Sequence, residues 1–233
     1  MPPHDNLILA SLPRADRDRL LAQCESVHLR LAQVLCEPGQ PTRHVYFPTN
    51  SFVSLMAQID DKHGLEVGMA GREGMLGVQL ALGVAREPLK ALVQGAGAAW
   101  RMASVLFQAE LERSKALRQR LNEYVYVLMA QRATSEACLR FHEIGPRLSR
   151  WLLMSQDRAH ADSFPMTQEL VATMLGVRRV GVTAAAGDLQ RRGFISYHRG
   201  TLAVLDRPGL EAAACSCYAN DLAVYRQAMK GRR

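Results

Sequence analysis

Several features that define other classes of protein are missing from this sequence of 233 residues. No apolar run approaches about 18 residues, the length that a membrane-spanning helix needs. The first ten residues carry no basic segment before their short apolar run, so a secretion signal is not expected. The five cysteines are odd in number and scattered, which does not fit a disulfide framework. These absences favour a cytoplasmic protein, and the length allows one large or two modest domains.

Common enzyme motifs are missing as well. The sequence contains no His-Glu-x-x-His, Gly-x-Ser-x-Gly or P-loop pattern. The segment Phe-His-Glu-Ile-Gly at 141–145 has a His-Glu pair but lacks the second histidine at the required spacing. We therefore predict a binding protein and not an enzyme.

The cysteines at Cys215 and Cys217 form a Cys-x-Cys pair. On a helix, two side chains at this spacing point to different faces and would not easily bind the same metal. We expect buried structural cysteines at this pair, and we predict no metal site and no cofactor. Redox or metal use of the Cys-x-Cys pair is the alternative.

Positive charge is concentrated in the C-terminal part of the chain. Residues 141–233 hold 13 Lys and Arg against 8 Asp and Glu, a net charge of +5, whereas residues 1–140 hold 16 against 14, a net charge of +2. A surface that binds phosphates needs such an excess, although a merely basic surface would also carry it.

The segment 27–100 predicts a β domain. Apolar and polar residues alternate from Val27 to Leu31, and turn signals such as the Pro-Gly pair at 38–39 recur at short intervals. Short strands separated in this way are typical of an antiparallel barrel or jelly roll. We therefore predict an α+β protein whose residues 1–103 form a β-barrel sensor domain.

The segment 104–141 predicts a short helix followed by a long one, because neither Pro nor Gly occurs in it. In the long helix, spacings of four and three residues define a seam of the kind that pairs two helices. The seam continues through Gln131, Ser135 and Cys138. We predict homodimerisation through Leu117, Leu121, Tyr124, Val125 and Leu128. A helix packed on its own domain is the alternative.

Residues 142–233 predict a winged helix-turn-helix domain. Thr167 is a good N-cap, Ala172 is small where two helices cross, and Gly176 falls where a tight turn needs positive φ. Two short apolar strands then flank residues 198–200, as in a wing. The second helix has an apolar face at Val182, Ala185, Ala186 and Leu189.

Arg178 and Arg179 begin this second helix, where the helix dipole disfavours positive charge. Folding alone would favour Ser, Asp or Asn at such a position. DNA phosphates or a guanine edge would offset the unfavourable placement. The two arginines therefore indicate DNA binding.

The order of barrel, long helix and winged helix-turn-helix resembles the Crp/Fnr family of bacterial transcription regulators. The segments "TQELVATMLGVRRVGVTAAAGDLQRRGFI", "RLSRWLLMSQDR" and "CSCY" carry the resemblance, which is strongest from Phe141 to Tyr218. It implies a cyclic-nucleotide-binding-like barrel, a homodimer, contact with RNA polymerase, and a second helix that docks in the major groove. Dimers then contact two half-sites about 34 Å apart.

The resemblance also implies which residues contact DNA. Arg179 falls where well-known members use an arginine on a base, whereas Val180 replaces a glutamate and Ala184 replaces an arginine. We therefore expect a different target sequence, thymine-methyl contacts from these two residues, and a contribution from DNA shape. The predicted DNA-binding residues are Thr167, Gln168, Arg178, Arg179, Val180, Thr183, Ala184, Arg191 and Arg199.

The predicted effector pocket departs from the family pattern. Gly71, Arg72, Glu73 and Gly74 match the glycine-rich part of the phosphate cassette, but no Arg-Ser or Arg-Ala pair follows, and Arg86 precedes Glu-Pro instead. We therefore expect no binding of cAMP or cGMP, and an unknown small molecule as the effector.

A different class of function stays open at this point. The chain could be a small-molecule sensor whose helical domain contacts protein instead of DNA. Haem sensing also occurs in the family, and Pro2, His28, His44 and His63 are available as ligands. Isolated histidines on strands and turns are more often surface or core residues.

Overall fold

The computed structural model describes residues 6–60, 64–159 and 161–230. The chain forms two compact units. The first comprises Met1–Leu55, Gly68–Met129 and Tyr225–Arg233, and the second comprises Met56–Val67 and Ala130–Val224. Within the described residues, no single helix is both long and apolar enough to cross a membrane, and one helix pair bent by 109° passes that test jointly.

The N-terminal part contains two antiparallel sheets, which confirms the predicted jelly-roll class. One sheet has the strand order β1-β7-β3 and the other has the order β2-β6-β4-β5. Two short helices precede the strands, α1 (Leu7–Ala10) and α2 (Arg14–Leu21). The strands are β1 (Glu25–Leu29), β2 (Val34–Cys36), β3 (His44–Pro48), β4 (Phe52–Gln58), β5 (Gly64–Ala70), β6 (Lys90–Gly95) and β7 (Gly97–Ala103), with a 3-10 turn at Val78–Leu82.

The core of this part is apolar and draws on strands and helices together. Phe47 and Met102 are almost completely buried on adjacent strands, and Phe107 of the following helix packs edge-on against Phe47 with ring centroids 6.1 Å apart. Leu117 and Leu121 close the same core. Burial of such side chains contributes about 1.5–3 kcal/mol each.

The two predicted helices are confirmed as α3 (Ser104–Arg113) and α4 (Lys115–Phe141). They are separated by Ser114, whose backbone is extended. The Ser114 hydroxyl accepts a hydrogen bond from the Leu117 amide at 3.0 Å, so it caps the new helix, and donates to Asp16 at 2.7 Å. A single residue with a capping side chain therefore ends one helix and begins the next.

The C-terminal part contains the predicted helix-turn-helix and wing. Its elements are α5 (Ile144–Ala159), β8 (Ser163–Pro165), α6 (Gln168–Leu175), α7 (Arg179–Arg191), β9 (Ile195–His198), β10 (Thr201–Val204), α8 (Arg207–Ala213) and α9 (Cys217–Ala228). The wing hairpin pairs β9 with β10, and β8 adds a third antiparallel strand on the other side of β10. The sequence had not predicted β8, because three residues are too few for an alternating pattern.

Candidate nucleic-acid interface

The turn between α6 and α7 has the geometry that the sequence predicted. The Thr167 hydroxyl caps α6 by accepting a hydrogen bond from the Leu170 amide at 3.1 Å. Ala172 is buried, and Gly176 ends the helix with φ +61°, a conformation that favours glycine. Arg147 of α5 donates to the last carbonyl of α6, that of Leu175, where the helix dipole favours a cation.

The inner face of α7 is formed largely as predicted. Val182, Ala186 and Leu189 are buried, whereas Ala185 is only half-buried. Gly181 is not one of the predicted inner-face residues, yet it packs against α5. A Cβ atom at this position would lie 2.6 Å from Cδ1 of Ile144, so the glycine permits close packing of α7 against α5.

The outer face of α7 is exposed and carries few long side chains. Val180 is 78% exposed, and Thr183 and Ala184 are also exposed. Such a face permits close approach to a flat or grooved partner, because nothing bulky stands between the helix and its surroundings. Arg178 and Arg179 lie at its N-terminal edge, and Arg178 is the N-cap residue without a capping side-chain bond among the described residues.

A hydrogen bond joins the two helices of the motif on the exposed side. The Thr183 hydroxyl lies 2.7 Å from Oε1 of Gln168 and 3.1 Å from the Arg179 carbonyl, and it can donate to either. The bond to Gln168 uses the amide oxygen, so the NH₂ group of that side chain is left as a donor. Gln168 and Thr183, both predicted DNA-binding residues, are therefore brought together.

The arginines of this surface differ in their neighbours. Arg191 lies 3.2 Å from Asp188, so part of its charge is neutralised within α7. Within the part of the chain that the structure describes, Arg178, Arg179 and Arg199 form no ion pair. Arg199 lies at the tip of the wing with φ +49°. Three uncompensated cations thus lie at the start of α7 and on the wing.

The predicted effector residues form a packed turn. The Arg72 carbonyl accepts from the Leu7 amide at 2.7 Å, the Gly74 carbonyl from the Asn6 side chain at 2.7 Å, and the Glu73 carbonyl from the Tyr225 hydroxyl at 2.9 Å. The Gly71 amide donates to the Glu73 side chain at 3.2 Å. The turn is therefore held by α1 and α9 through its backbone.

A cleft of about 410 Å³ lies elsewhere in the barrel. Its lining includes Gln40, Arg43, His44, Tyr46 and Glu87, and none of the four predicted effector residues. Arg86, which the sequence discounted as a phosphate ligand, donates to the Gly39 carbonyl at 2.7 Å.

The histidines considered for haem are only partly described. His28 lies on β1 and His44 on β3, where it lines the cleft. Pro2 and His63 lie outside the described residues.

The predicted dimer seam needs correction at three of its five positions. Leu117, Leu121 and Tyr124 are at most 2% exposed in a single chain, because they pack into the barrel core. Val125 and Leu128 are half-buried. The four-three spacing therefore marks the inner face of α4. The exposed face of the same helix carries Tyr126 and Met129, which are 61% and 66% exposed.

The cysteines confirm one prediction and correct one argument. Cys215 and Cys217 are buried, as expected, and so is Cys138. Cys215, however, lies in the connection between α8 and α9, so the argument from helical spacing does not apply to the Cys-x-Cys pair. His142 lies beside it, and its Nδ1 atom is 3.6 Å from Sγ of Cys217. The spacing Cys138-x-x-x-His142 was the overlooked signal in the sequence.

Comparison with known proteins agrees with this architecture. Residues 146–213 match the Crp-like helix-turn-helix domain. A CRP/FNR family regulator from Thermus thermophilus has 20% identity and TM-score 0.66, covering 82% of this chain and 98% of its own. The c-di-GMP responsive global regulator CLP from Xanthomonas campestris has 16% sequence identity and a TM-score of 0.66, and the match covers 82% of this chain and 99% of CLP. FixK2 from Bradyrhizobium japonicum has 13% sequence identity and a TM-score of 0.67, and the match covers 83% of this chain and 98% of FixK2. No curated protein sequence matches significantly.

The winged helix-turn-helix region, residues 146–213, is thus a Crp-like helix-turn-helix domain. Over the 82% of this chain that the match covers, the chain shares the fold of the solved CRP/FNR family regulator from Thermus thermophilus.

Proposed function

We propose that this chain is a transcription regulator of the Crp/Fnr type that binds duplex DNA as a homodimer, with the N-terminal half of α7 in the major groove. The observation that carries the proposal is the outer face of α7, where exposed small residues adjoin the unpaired Arg178 and Arg179. An α-helix fits the major groove, and small side chains let its backbone approach the base edges closely. Such a regulator acts where the chromosome is, in the cytoplasm, and contacts RNA polymerase there.

The two arginines have different roles in this proposal. Arg179, the first residue of α7, contacts a guanine edge, and Arg178 and the wing residue Arg199 contact phosphates. Val180 and Ala184 meet thymine methyl groups. Polar contacts with DNA come from Thr167, which caps α6, from Gln168 of α6 and from Thr183 of α7. Arg191 supplies a weaker contact, because its ion pair with Asp188 neutralises part of its charge.

The homodimer forms through the exposed face of α4. Asn122, Tyr126, Met129 and Ala133 are all exposed and follow a four-three-four spacing on one side of the helix. This spacing is typical of two helices that pair along their length. Pairing would bury Tyr126 and Met129, whose apolar surface is otherwise in water.

The barrel cleft is the candidate effector site, in place of the 71–74 turn. Its lining includes Arg43 and His44 as well as Glu87, and a polar small molecule with an acidic group would suit the first two. No Arg-Ser or Arg-Ala pair follows the glycine-rich turn, and we expect calorimetry to detect no tight binding of cAMP. Tight binding would overturn this part of the proposal.

The central experiment is selection of DNA sequences by the purified protein, followed by affinity measurements on variants. We expect Arg179→Ala to cost about 1–3 kcal/mol on the selected site and to relax preference at one base position in each half-site. Arg178→Ala should weaken all sequences alike. Arg14→Ala removes an arginine whose side chain is 88% exposed on α2 and serves as the control without effect.

Three outcomes would contradict the proposal. Equal, sequence-independent losses from both α7 variants would refute the division between base and phosphate contacts. Unchanged affinity in both would refute docking through α7. Failure of the wild-type protein to enrich any sequence would refute specific DNA binding.

A further inference from the structure

Four metal-binding side chains from distant parts of the sequence meet in the C-terminal unit. Cys138 and His142 lie four residues apart at the end of α4, and Cys215 and Cys217 lie at the connection between α8 and α9. One ligand atom from each lies within 4.8 Å of every other. We propose that these four side chains, the Cys₃His cluster, bind one structural zinc ion.

The distances within the cluster fit a single tetrahedral ion. Zinc bonds of about 2.3 Å to sulfur and 2.1 Å to nitrogen place neighbouring ligand atoms about 3.7 Å apart. The Sγ atoms of Cys138 and Cys215 are 3.5 Å apart, and Sγ of Cys217 is 3.6 Å from Nδ1 of His142. A disulfide would need about 2.05 Å between sulfurs, and all three thiols are free.

The backbone explains why these residues converge. His142 directly follows α4, and its amide donates to the Cys138 carbonyl at 3.1 Å. The helical turn therefore continues to His142, and positions four residues apart share one face of a helix. The other pair lies where the chain leaves α8 with Ala214 in an extended conformation. The Cys215 amide donates to the Pro146 carbonyl at 3.3 Å, which fixes this connection against the start of α5.

Burial and charge also suit a metal. The three cysteines are 2–8% exposed. Zinc with three thiolates and a neutral imidazole has net charge −1, and Arg150 interacts electrostatically with both Cys138 and Cys215. Arg150 is itself buried, and its Nε has no hydrogen-bond partner among the described residues.

The ligand set selects the metal and its role. Thiolate and imidazole ligands favour zinc over magnesium or calcium, which prefer oxygen. Four protein ligands leave no open position for a substrate, so the site is structural. The ion would tie the end of α4 to the start of α9, beside the ion pair of Arg150 with Asp221 at 2.6 Å. Metal binding would then stabilise this unit.

The test begins with the metal content of the full-length protein, purified under reducing conditions without chelator. We expect about one zinc ion per chain. After removal of zinc with a chelator, added Co²⁺ should produce the visible absorption bands of a tetrahedral cobalt–thiolate site, and zinc should then displace them. Iodoacetamide should label Cys138, Cys215 and Cys217 faster in the metal-free form, with Cys24 and Cys36 unchanged.

Variants locate the site. Cys138→Ser and Cys217→Ser should lose the zinc and the cobalt bands, whereas Cys24→Ser and Cys36→Ser, which lie outside the cluster, should keep both. The wild-type cobalt titration does not depend on whether the variants fold. Wild-type protein that contains no zinc and gives no cobalt bands would overturn the proposal. So would a Cys138–Cys215 disulfide in protein alkylated without exposure to air.

Discussion

The absence of a side chain at Gly74 serves packing within the protein and does not make room for a ligand. A Cβ atom there would lie 2.0 Å from Oη and 2.6 Å from Cζ of Tyr124, a side chain that is 2% exposed. The neighbouring Glu73 carbonyl is also used, by the Tyr225 hydroxyl. A glycine-rich turn allows the backbone to come close to another group, which in a binding loop is the ligand. In this turn the group next to the backbone is the ring of Tyr124 on α4.

We predict that Gly74→Ala lowers the free energy of unfolding by about 1–3 kcal/mol, because the buried Tyr124 ring has to move. Gly145→Ala is the matched control. Position 145 lies in the first turn of α5, where an added Cβ would meet nothing within 4 Å, so stability should be unchanged or slightly raised. Chemical denaturation of both variants measures the difference, and equal stability would contradict the packing explanation.

Among the secondary-structure elements, α4 has one face in the barrel core and an opposite face that is exposed. Leu117, Leu121 and Tyr124 belong to the barrel core, and the face with Tyr126 and Met129 is exposed in the single chain. The sequence pattern identified a helix with a packing stripe, and the more apolar stripe faces the core. The less apolar stripe is the one that the proposed dimer would bury.

We predict that Tyr126→Glu weakens the dimer, because two glutamates would oppose each other in the paired helices. Leu82→Glu is the matched control, since Leu82 on the 3-10 turn is equally exposed at 61% but lies outside α4. Sedimentation over a range of concentrations should show a larger dissociation constant only for the first variant. A monomeric wild-type protein at micromolar concentration would contradict the dimer itself.

A hydrogen-bond network joins three helices of the C-terminal part. The Tyr218 hydroxyl of α9 donates to Asp157 of α5 at 2.8 Å, and Arg207 of α8 donates to the other oxygen of Asp157 at 2.8 Å. Arg207 also lies 2.6 Å from the Tyr218 hydroxyl. Burial raises the pKa of Tyr218, so the hydroxyl keeps its proton as a donor.

Tyr218→Phe should therefore lower the free energy of unfolding by about 1.5–3 kcal/mol, the contribution of hydrogen bonds to charged groups. Tyr126→Phe removes a hydroxyl from an exposed ring and should have little effect on stability. Thermal unfolding compares the two variants. A loss confined to Tyr126→Phe, or no loss in either, would show that the network contributes nothing.

For the molecule as a whole, the arginines of α7 and the wing that form no ion pair among the described residues contribute to the net positive charge of residues 141–233. The affinity of a DNA-binding protein falls with salt by a slope of about 0.9 for each phosphate it neutralises. In a homodimer each phosphate-contacting residue counts twice. The salt dependence of binding therefore reports how many of these residues contact the backbone.

We predict that Arg199→Ala lowers the magnitude of this slope by about two, one for each copy, with base preference unchanged. Fluorescence anisotropy of labelled DNA over a series of salt concentrations measures the slope, and Arg14→Ala serves again as the control. An unchanged slope would mean that the wing does not touch phosphate.

Elements with local signals could be predicted from the amino-acid sequence. The Pro-free and Gly-free stretch predicted α3 and α4, and Thr167, Ala172 and Gly176 predicted the helix-turn-helix, because capping and tight turns depend on a few neighbouring residues. The alternation and turn signals indicated the class of the barrel. These elements could be predicted because each depends on the backbone preferences of residues that are close together in the sequence.

Only the tertiary structure shows which face of each helix is buried and which residues distant in sequence come into contact. Folding places the apolar stripe of α4 in the core, turns Gly181 toward Ile144 and leaves a cleft for the candidate effector away from residues 71–74. It also brings Cys138 and His142 to Cys215 and Cys217 across more than seventy positions of sequence. Periodicity identifies an apolar stripe on a helix but not the surface against which the stripe packs. Spacing along the chain likewise does not show which distant residues come into contact on folding.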